Sequence, residues 1–148
     1  MKHYTRQAQN TGETRTILGR RIAYDTWEPA DERGELALPF DAALSKWGSR
    51  IKRAHTHKAT NALVQGSSAD LMKAALVQAY QSGVFDVTGL PKLVVHDELD
   101  VAVRDHSKAT EGAIRELRHV METAIPFSVP ILVEGERGSS WGTLTKEG

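Results

Sequence analysis

The chain has 148 residues, 40% hydrophobic and 26% charged, with 19 basic residues against 19 acidic ones; this is the profile of one soluble globular domain, or a piece of a larger one, able to bury roughly 70% of its unfolded surface. The absence of cysteine excludes disulfides, zinc–thiolate sites and cysteine nucleophiles. No apolar run approaches the ~20 residues of a membrane span, and residues 1–10, MKHYTRQAQN, hold no secretory stretch, so a cytoplasmic protein with no membrane contact is expected.

In chain order, residues 1–15 read as the end of a helix closed by the Asn10-Thr11-Gly12 turn signal. Thr14 to Tyr24 reads as a short hairpin around Gly19. Residues 25–42, with Pro29, Gly34 and Pro39 among acids, read as a surface loop. Leu44 to Ser82 lacks proline and suits helix, interrupted at Gly66. Ser67 or Ser68 is then a cap for a second segment, with Asp70 in its first turn. Leu71, Ala75, Leu76 and Ala79 recur at helical spacing. Gly83 to Pro91 reads as a loop. Leu93-Val94-Val95 and the alternating Leu99, Val101 and Val103 read as a hairpin with His96-Asp97-Glu98 at its tip. Ser107 to Ala124 reads as a helix, N-capped by Ser107, with Ile114, Leu117, Val120 and Met121 on one face and Pro126 beyond its end. Val129 to Glu134 reads as an edge strand because of Pro130, and Gly135 to Gly148 as a tail in which Trp141 packs down. There is no internal repeat. The fold class is α+β, with a small antiparallel sheet packed against helices.

The even charge balance hides an uneven layout. Lys2, Arg6, Arg15, Arg20 and Arg21 are opposed only by Glu13; Asp25, Glu28, Asp31, Glu32, Glu35 and Asp41 follow; then come Arg50, Lys52, Arg53 and Lys58, with His55 and His57 among them. Basic blocks around an acidic stretch suit either a polyanion-binding face with a loop held away from it, or solvated faces that happen to segregate.

Three constellations carry chemistry. His96-Asp97-Glu98 lacks the Gly or Asn usual in a hairpin turn, and adjacent carboxylates of this kind suit Mg²⁺; an ordinary exposed acidic turn fits the same letters. His57, Asn61 and Gln65, spaced i, i+4, i+8, line one helix face. Asn and Gln can donate to the degenerate acceptors of a duplex minor groove; an ordinary polar helix surface also fits. Gly19-Arg20-Arg21 is a turn whose arginines can clamp phosphates or decorate a surface.

Together, the segments TILGRRI, THKATNALVQGSSADLMKAAL, KLVVHDELDVAV and VPILVEGERGSSWG resemble, in this order, the C-terminal end of family A DNA polymerases, the DNA polymerase I family, and most of all phage members. The resemblance runs from about Thr14 to Trp141, and VHDEL with NALVQGSSAD at this separation is specific. It implies a partial polymerase palm. It divides the chain into residues 1–24, the end of the fingers region and the GRR turn; 25–48, an acidic insertion loop; and 49–148, the C-terminal palm segment. By resemblance, Asp97 matches the catalytic aspartate that helps bind two metal ions, and Glu98 the neighbouring supporting carboxylate, which makes Mg²⁺ the implied cofactor. His96 matches the residue near the primer end in the minor groove. Asn61 and Gln65 match palm residues that touch the primer–template minor groove, and His57 stands where many relatives carry an arginine. Arg20 and Arg21 match the turn near the template strand or the fingers–palm junction.

The family's second catalytic aspartate, in a motif like Asp-Tyr-Ser-Gln-Ile-Glu, has no counterpart here. Nor has the fingers helix RxxxKxxxFxxxYG: Arg104 and Lys108 have the Arg–Lys spacing but lack the aromatics and follow the carboxylate turn. Exonuclease, thumb and most of the fingers are also missing, so the chain corresponds to roughly the last fifth of a polymerase. Two-metal phosphoryl transfer needs both aspartates. The expectation is a split polymerase, inactive alone, whose partner chain carries the thumb, the fingers and the other aspartate and completes the two-metal site on a DNA primer–template in the bacterial host cytoplasm. The alternatives are a non-catalytic DNA-binding palm remnant or regulator and, from the carboxylate turn alone, a metal-dependent nuclease.

Overall fold

The computed structural model describes residues 2–31 and 34–146. The chain divides into two compact units, 1–70 and 71–148. In the first, helix α1 (Lys2–Thr11) ends at Gly12, whose φ of +76° suits glycine. Strands β1 (Glu13–Arg15) and β2 (Arg21–Ala23) pair antiparallel with Thr14 opposite Ile22, forming the expected hairpin around Gly19. Ala8, Tyr24 and Ala59 form the core of this unit, with Tyr4 and Ile22 packed on them.

Much of the described part of the stretch read as a surface loop is in regular structure. It forms β3 (Thr26–Pro29), β4 (Leu38–Pro39) and helix α2 (Phe40–Trp47). β3 is the middle strand of a sheet, antiparallel to β4 and to β5 (Ile51–Arg53). Ion pairs accompany this arrangement: Glu28 lies 3.7 Å from Lys52, Asp31 3.7 Å from Arg50 and Glu35 2.8 Å from Lys46. Trp27 meets the Phe40 ring edge-on at 5.1 Å and carries the Arg53 guanidinium at 4.6 Å from its ring centre. The two prolines that suggested a loop sit at strand ends, where no ladder donor is required. Glu28 and Asp31 of the acidic stretch thus pair with Lys52 and Arg50 of the basic block after it, and Asp25 lies 3.7 Å from Arg21 of the first block; of the two readings of the charge layout, an acidic loop held clear of the basic residues is not the one observed.

The long helical region is also divided differently. α2 stops at Gly48, at φ +66°; β5 and a 3₁₀ turn (Thr56–Lys58) follow, and then one continuous helix, α3 (Ala59–Gln81). Gly66 does not interrupt it, and neither Ser67 nor Ser68 caps a second segment. A Cβ on Gly66 would lie 2.8 Å from Thr16 Cγ2 and 3.3 Å from Arg20 Nη2, and Ser67 Oγ accepts a hydrogen bond from the Ile17 N–H at 3.1 Å. Gly66 and Ser67, which mimic a break and a cap, are where the β1–β2 loop docks on the helix.

In the second unit the stretch read as a loop after α3 contains a short helix, α4 (Val84–Thr88), between Gly83 and Gly89, both at φ +77°. Val84 and Phe85 enter a core with Ala79, Leu117 and Val120, onto which Leu76, Leu99, Val101, Ala113 and Met121 pack. Strands β6 (Leu93–Val95) and β7 (Glu98–Asp100) form the expected hairpin, although β7 ends before Val101 and Val103. Helix α5 (Lys108–Thr123) follows its expected N-cap: Ser107 Oγ accepts from the Thr110 N–H at 3.3 Å. The expected edge strand over 129–134 does not form. The Val133 N–H donates instead to Glu122 Oε1 at 3.0 Å, and the pairing lies later, between β8 (Glu136–Arg137) and β9 (Thr145–Lys146). Trp141 does not pack down; it sits in a 3₁₀ turn and is 67% exposed. The mixture of helices and small antiparallel sheets is the expected α+β class.

Candidate functional site

In the second unit, the β6–β7 hairpin closes on a two-residue turn, His96-Asp97, flanked by the Val95–Glu98 pair. His96 has φ +53° and His55 φ +60°; among the described residues no other non-glycine has positive φ. A side chain in this left-handed region costs ~1–3 kcal/mol, and such strain concentrates at functional sites. The turn leaves His96, Asp97 and Glu98 exposed. Among the described residues, no side-chain hydrogen bond or ion pair engages either carboxylate. Oxygen donors free of protein partners fit one edge of a Mg²⁺ site, since that ion takes one or two carboxylates and fills the rest of its shell with water and substrate phosphate. Among the described residues there is no group of three or more His, Cys, Asp or Glu that could hold a metal ion.

The first unit carries the other candidates. His57 lies in the 3₁₀ turn that precedes α3, one element earlier than its spacing suggested, whereas Asn61 and Gln65 share a face of α3; all three are exposed. Arg20 and Arg21 are committed to carboxylates. Arg20 Nε donates to Asp70 Oδ1 at 2.8 Å and Nη2 to the Gly66 carbonyl at 2.8 Å. Arg21 Nε donates to Glu13 Oε2 at 2.6 Å, with Asp25 at 3.7 Å. Hydrogen bonding from Arg21, and secondarily from Arg15, holds the Glu13 carboxyl below the usual carboxylate range. Arg20 thus ties the GRR turn to the helix that bears Asn61 and Gln65. Sequence reasoning missed Glu13 and Asp70 as the partners of these arginines; a basic turn beside isolated acids was the available signal. It also missed Gln9, for which the sequence carries no signal.

The family model of DNA polymerase family A matches residues 1–143. The chain is 41% identical over 136 residues to a DNA-directed DNA polymerase of Pseudomonas phage M6, covering 92% of this chain and 16% of that protein. It is 33% identical over 139 residues to DNA polymerase I of Mycobacterium leprae, covering 92% of this chain and 13% of that protein. The polymerase domain of Pol1 from M. smegmatis, solved in complex with a DNA primer–template and dNTP, superimposes with a TM-score of 0.58 at 30% identity, over 87% of this chain and 20% of that one. The chain belongs to DNA polymerase family A and corresponds to part of its polymerase domain. It spans about a sixth or less of the length of the two relatives.

Proposed function

We propose that this chain is the C-terminal palm segment of a divided, phage-type DNA-directed DNA polymerase. In this reading it supplies Asp97 and minor-groove contacts to a DNA primer–template, and a partner chain supplies the thumb, fingers and second aspartate. The observation that carries the reading is the strained His96-Asp97 turn, which with Glu98 at the start of β7 presents two exposed, unengaged carboxylates in a family A chain. Asp97 is the metal-binding carboxylate and Glu98 its support. Mg²⁺ held there with the partner's aspartate would stabilise the charge that develops on a transferring phosphoryl group. His96 addresses the primer end. Asn61 and Gln65, with His57 before them, donate to minor-groove acceptors that barely vary with sequence. Arg20 and Arg21 act at the template side or the fingers–palm junction, and their pairing with Asp70 and Glu13 favours the junction. The place of action is the cytoplasm of a bacterial host, with residues 25–48 as an acidic insertion.

The test is primer extension by the chain alone and by the chain co-purified with a candidate fingers–thumb chain. Template-dependent incorporation by the assembly only is the expected result; incorporation by the 148-residue chain alone contradicts it. A second reading is a non-catalytic DNA-binding remnant or regulator. An assembly that binds DNA but stays inactive supports that second reading.

A further inference from the structure

We propose that Gln9 is a positioning residue for the primer–template face: its side-chain amide staples the left-handed turn at His55, from which the 3₁₀ turn and helix α3 present His57 and Asn61. The proposal deepens the DNA-binding reading above and rests on it.

Gln9 sits on α1, 44 residues before the strand it grips. Its amide engages the main chain as a neighbouring strand would. Oε1 accepts from the Arg53 N–H at 3.2 Å, and Nε2 donates to the Arg53 carbonyl at 2.9 Å. The second Nε2 hydrogen goes to Thr56 Oγ1 at 2.6 Å. All three bonds of one half-buried amide therefore land on either side of Ala54-His55. Ala54 is itself fixed, fully buried and donating to the Thr26 carbonyl at 2.9 Å. Thr56 is buried as well. Between these fixed points His55 adopts φ +60°, ψ +5°, and its carbonyl accepts the Lys58 N–H at 2.9 Å that closes the 3₁₀ turn.

A second grip acts on the same strand. Arg53 Nη1 donates to the Tyr24 carbonyl at 2.9 Å, while its guanidinium stacks on Trp27. It also lies so close over Gly12 that a Cβ there would stand 2.7 Å from Arg53 Cζ. A left-handed histidine persists only where its surroundings over-determine it. Here they do, and the strained residue lies two positions before His57 and six before Asn61. Loosening the staple lets His55 relax and re-aims the start of α3, although Gln9 need not touch DNA.

The test uses the purified 148-residue chain, a fluorescent primer–template duplex with a 5′ overhang, and the variants Gln9→Ala, Asn61→Ala and their combination. Amide hydrogen exchange over 53–58 reads the staple directly. Expected results are exchange there faster by about tenfold in Gln9→Ala and duplex affinity weaker by about tenfold. In the Asn61→Ala background the further loss from Gln9→Ala should be much smaller, because both changes act through the same helix face. Thr56→Val, which removes one of the three bonds and keeps the volume, should show the same effects at smaller size; it carries the test if Gln9→Ala folds poorly. Unchanged exchange over 53–58 overturns the proposal, as does an equal loss of affinity with and without Asn61. An unaltered chain that does not bind the duplex counts against the DNA-binding reading, and faster exchange in Gln9→Ala would then still support the staple.

Discussion

Arg20 and Asp70 form a two-pronged tie in the first unit: the Arg20 Nε reaches Asp70 Oδ1 at 2.8 Å, and its Nη2 reaches the Gly66 carbonyl one turn earlier on the same helix, also at 2.8 Å. The carboxylate is only 6% exposed, whereas the arginine is half-exposed. Removing the arginine strips a buried carboxylate of a charge-assisted bond, which is worth ~1.5–3 kcal/mol. Arg20→Ala should therefore lower thermal stability, and Arg20→Lys should recover only part of it because an ammonium lacks the planar fork. Scanning calorimetry reads both. A melting temperature unchanged in Arg20→Ala would show that the pair contributes nothing.

Gly66→Ala sets two effects against each other. Alanine gains ~1 kcal/mol of helix propensity. Its methyl, however, meets Thr16 Cγ2 at 2.8 Å. Thr16 is buried and β-branched, and its Oγ1 accepts the Arg20 N–H at 3.1 Å, so it cannot rotate away without losing that bond. Overpacking of this kind costs ~1–3 kcal/mol, and the net outcome should be destabilisation. Thr16→Ser deletes the clashing methyl and keeps the hydroxyl. The double variant Gly66→Ala/Thr16→Ser should be more stable than Gly66→Ala alone in urea unfolding; simple additivity would contradict the clash.

These two residues also show where the sequence was legible. The β6–β7 hairpin, the α5 helix with its Ser107 cap and the carboxylate turn follow from local pattern, because their determinants lie within a few residues of one another. Gly66 looked like a break because a glycine inside a helical pattern has two meanings, flexibility or close approach, and only Thr16, 50 positions away in chain order, decides between them. The 25–42 stretch reads as loop because its prolines and acids are loop-like locally, while its strand partner Ile51–Arg53 and the complementary charges lie beyond the turn. The positions of the candidate residues on the hairpin tip and on α3 are readable from local pattern. The partners that hold the arginines, and the amide of Gln9, are not, since long-range hydrogen bonds leave no periodicity.

In the proposed assembly, Asp97→Ala should abolish primer extension while leaving assembly formation and duplex binding largely intact. Asp97 is exposed on a turn and engages no protein group among the described residues, so its loss removes charge and not packing. Removing a group that stabilises charge in a phosphoryl-transfer transition state costs ~3–4 kcal/mol, or a factor of 10²–10³ in rate. Glu98→Ala should cost less. Single-turnover extension measures both, and near-normal turnover by Asp97→Ala would refute the assignment.

The N-terminus of α5 should carry an acid-sensitive cap. The Ser107 N–H at 2.9 Å and the Thr110 hydroxyl at 2.7 Å both donate to Asp105 Oδ1. These bonds, the backbone one foremost, lower its pKa from 3.8 to about 2. A depressed folded-state pKa stabilises the fold above the unfolded value and ceases to do so as pH falls through the folded value. The contribution should therefore be complete at pH 5 and fade between about 4 and about 2. Carbon-detected NMR of the Asp105 carboxyl should give a midpoint near 2, and Asp105→Asn should flatten this part of the acid limb. A midpoint near 4 would show the cap to be unformed in solution.

The β6–β7 hairpin presents unpaired strand edges. Among the described residues the two strands pair only with each other, and on β6 Leu93 and Val94 are 39% and 44% exposed. An exposed apolar edge with free N–H and C=O groups is a template for another strand, and a partner strand added across it satisfies those groups and covers Leu93 and Val94 together. The fingers–thumb chain of the proposed assembly should therefore bind here, burying more than ~1,000 Å² because the contact rejoins a divided domain. Val94→Lys places a charge on this surface without touching the carboxylate turn. Co-expression followed by size-exclusion chromatography should give a stable complex with the unaltered chain and little or none with Val94→Lys. A stable monomer that ignores the partner even on primed DNA would rule out the divided polymerase and leave the DNA-binding remnant as the reading of this chain.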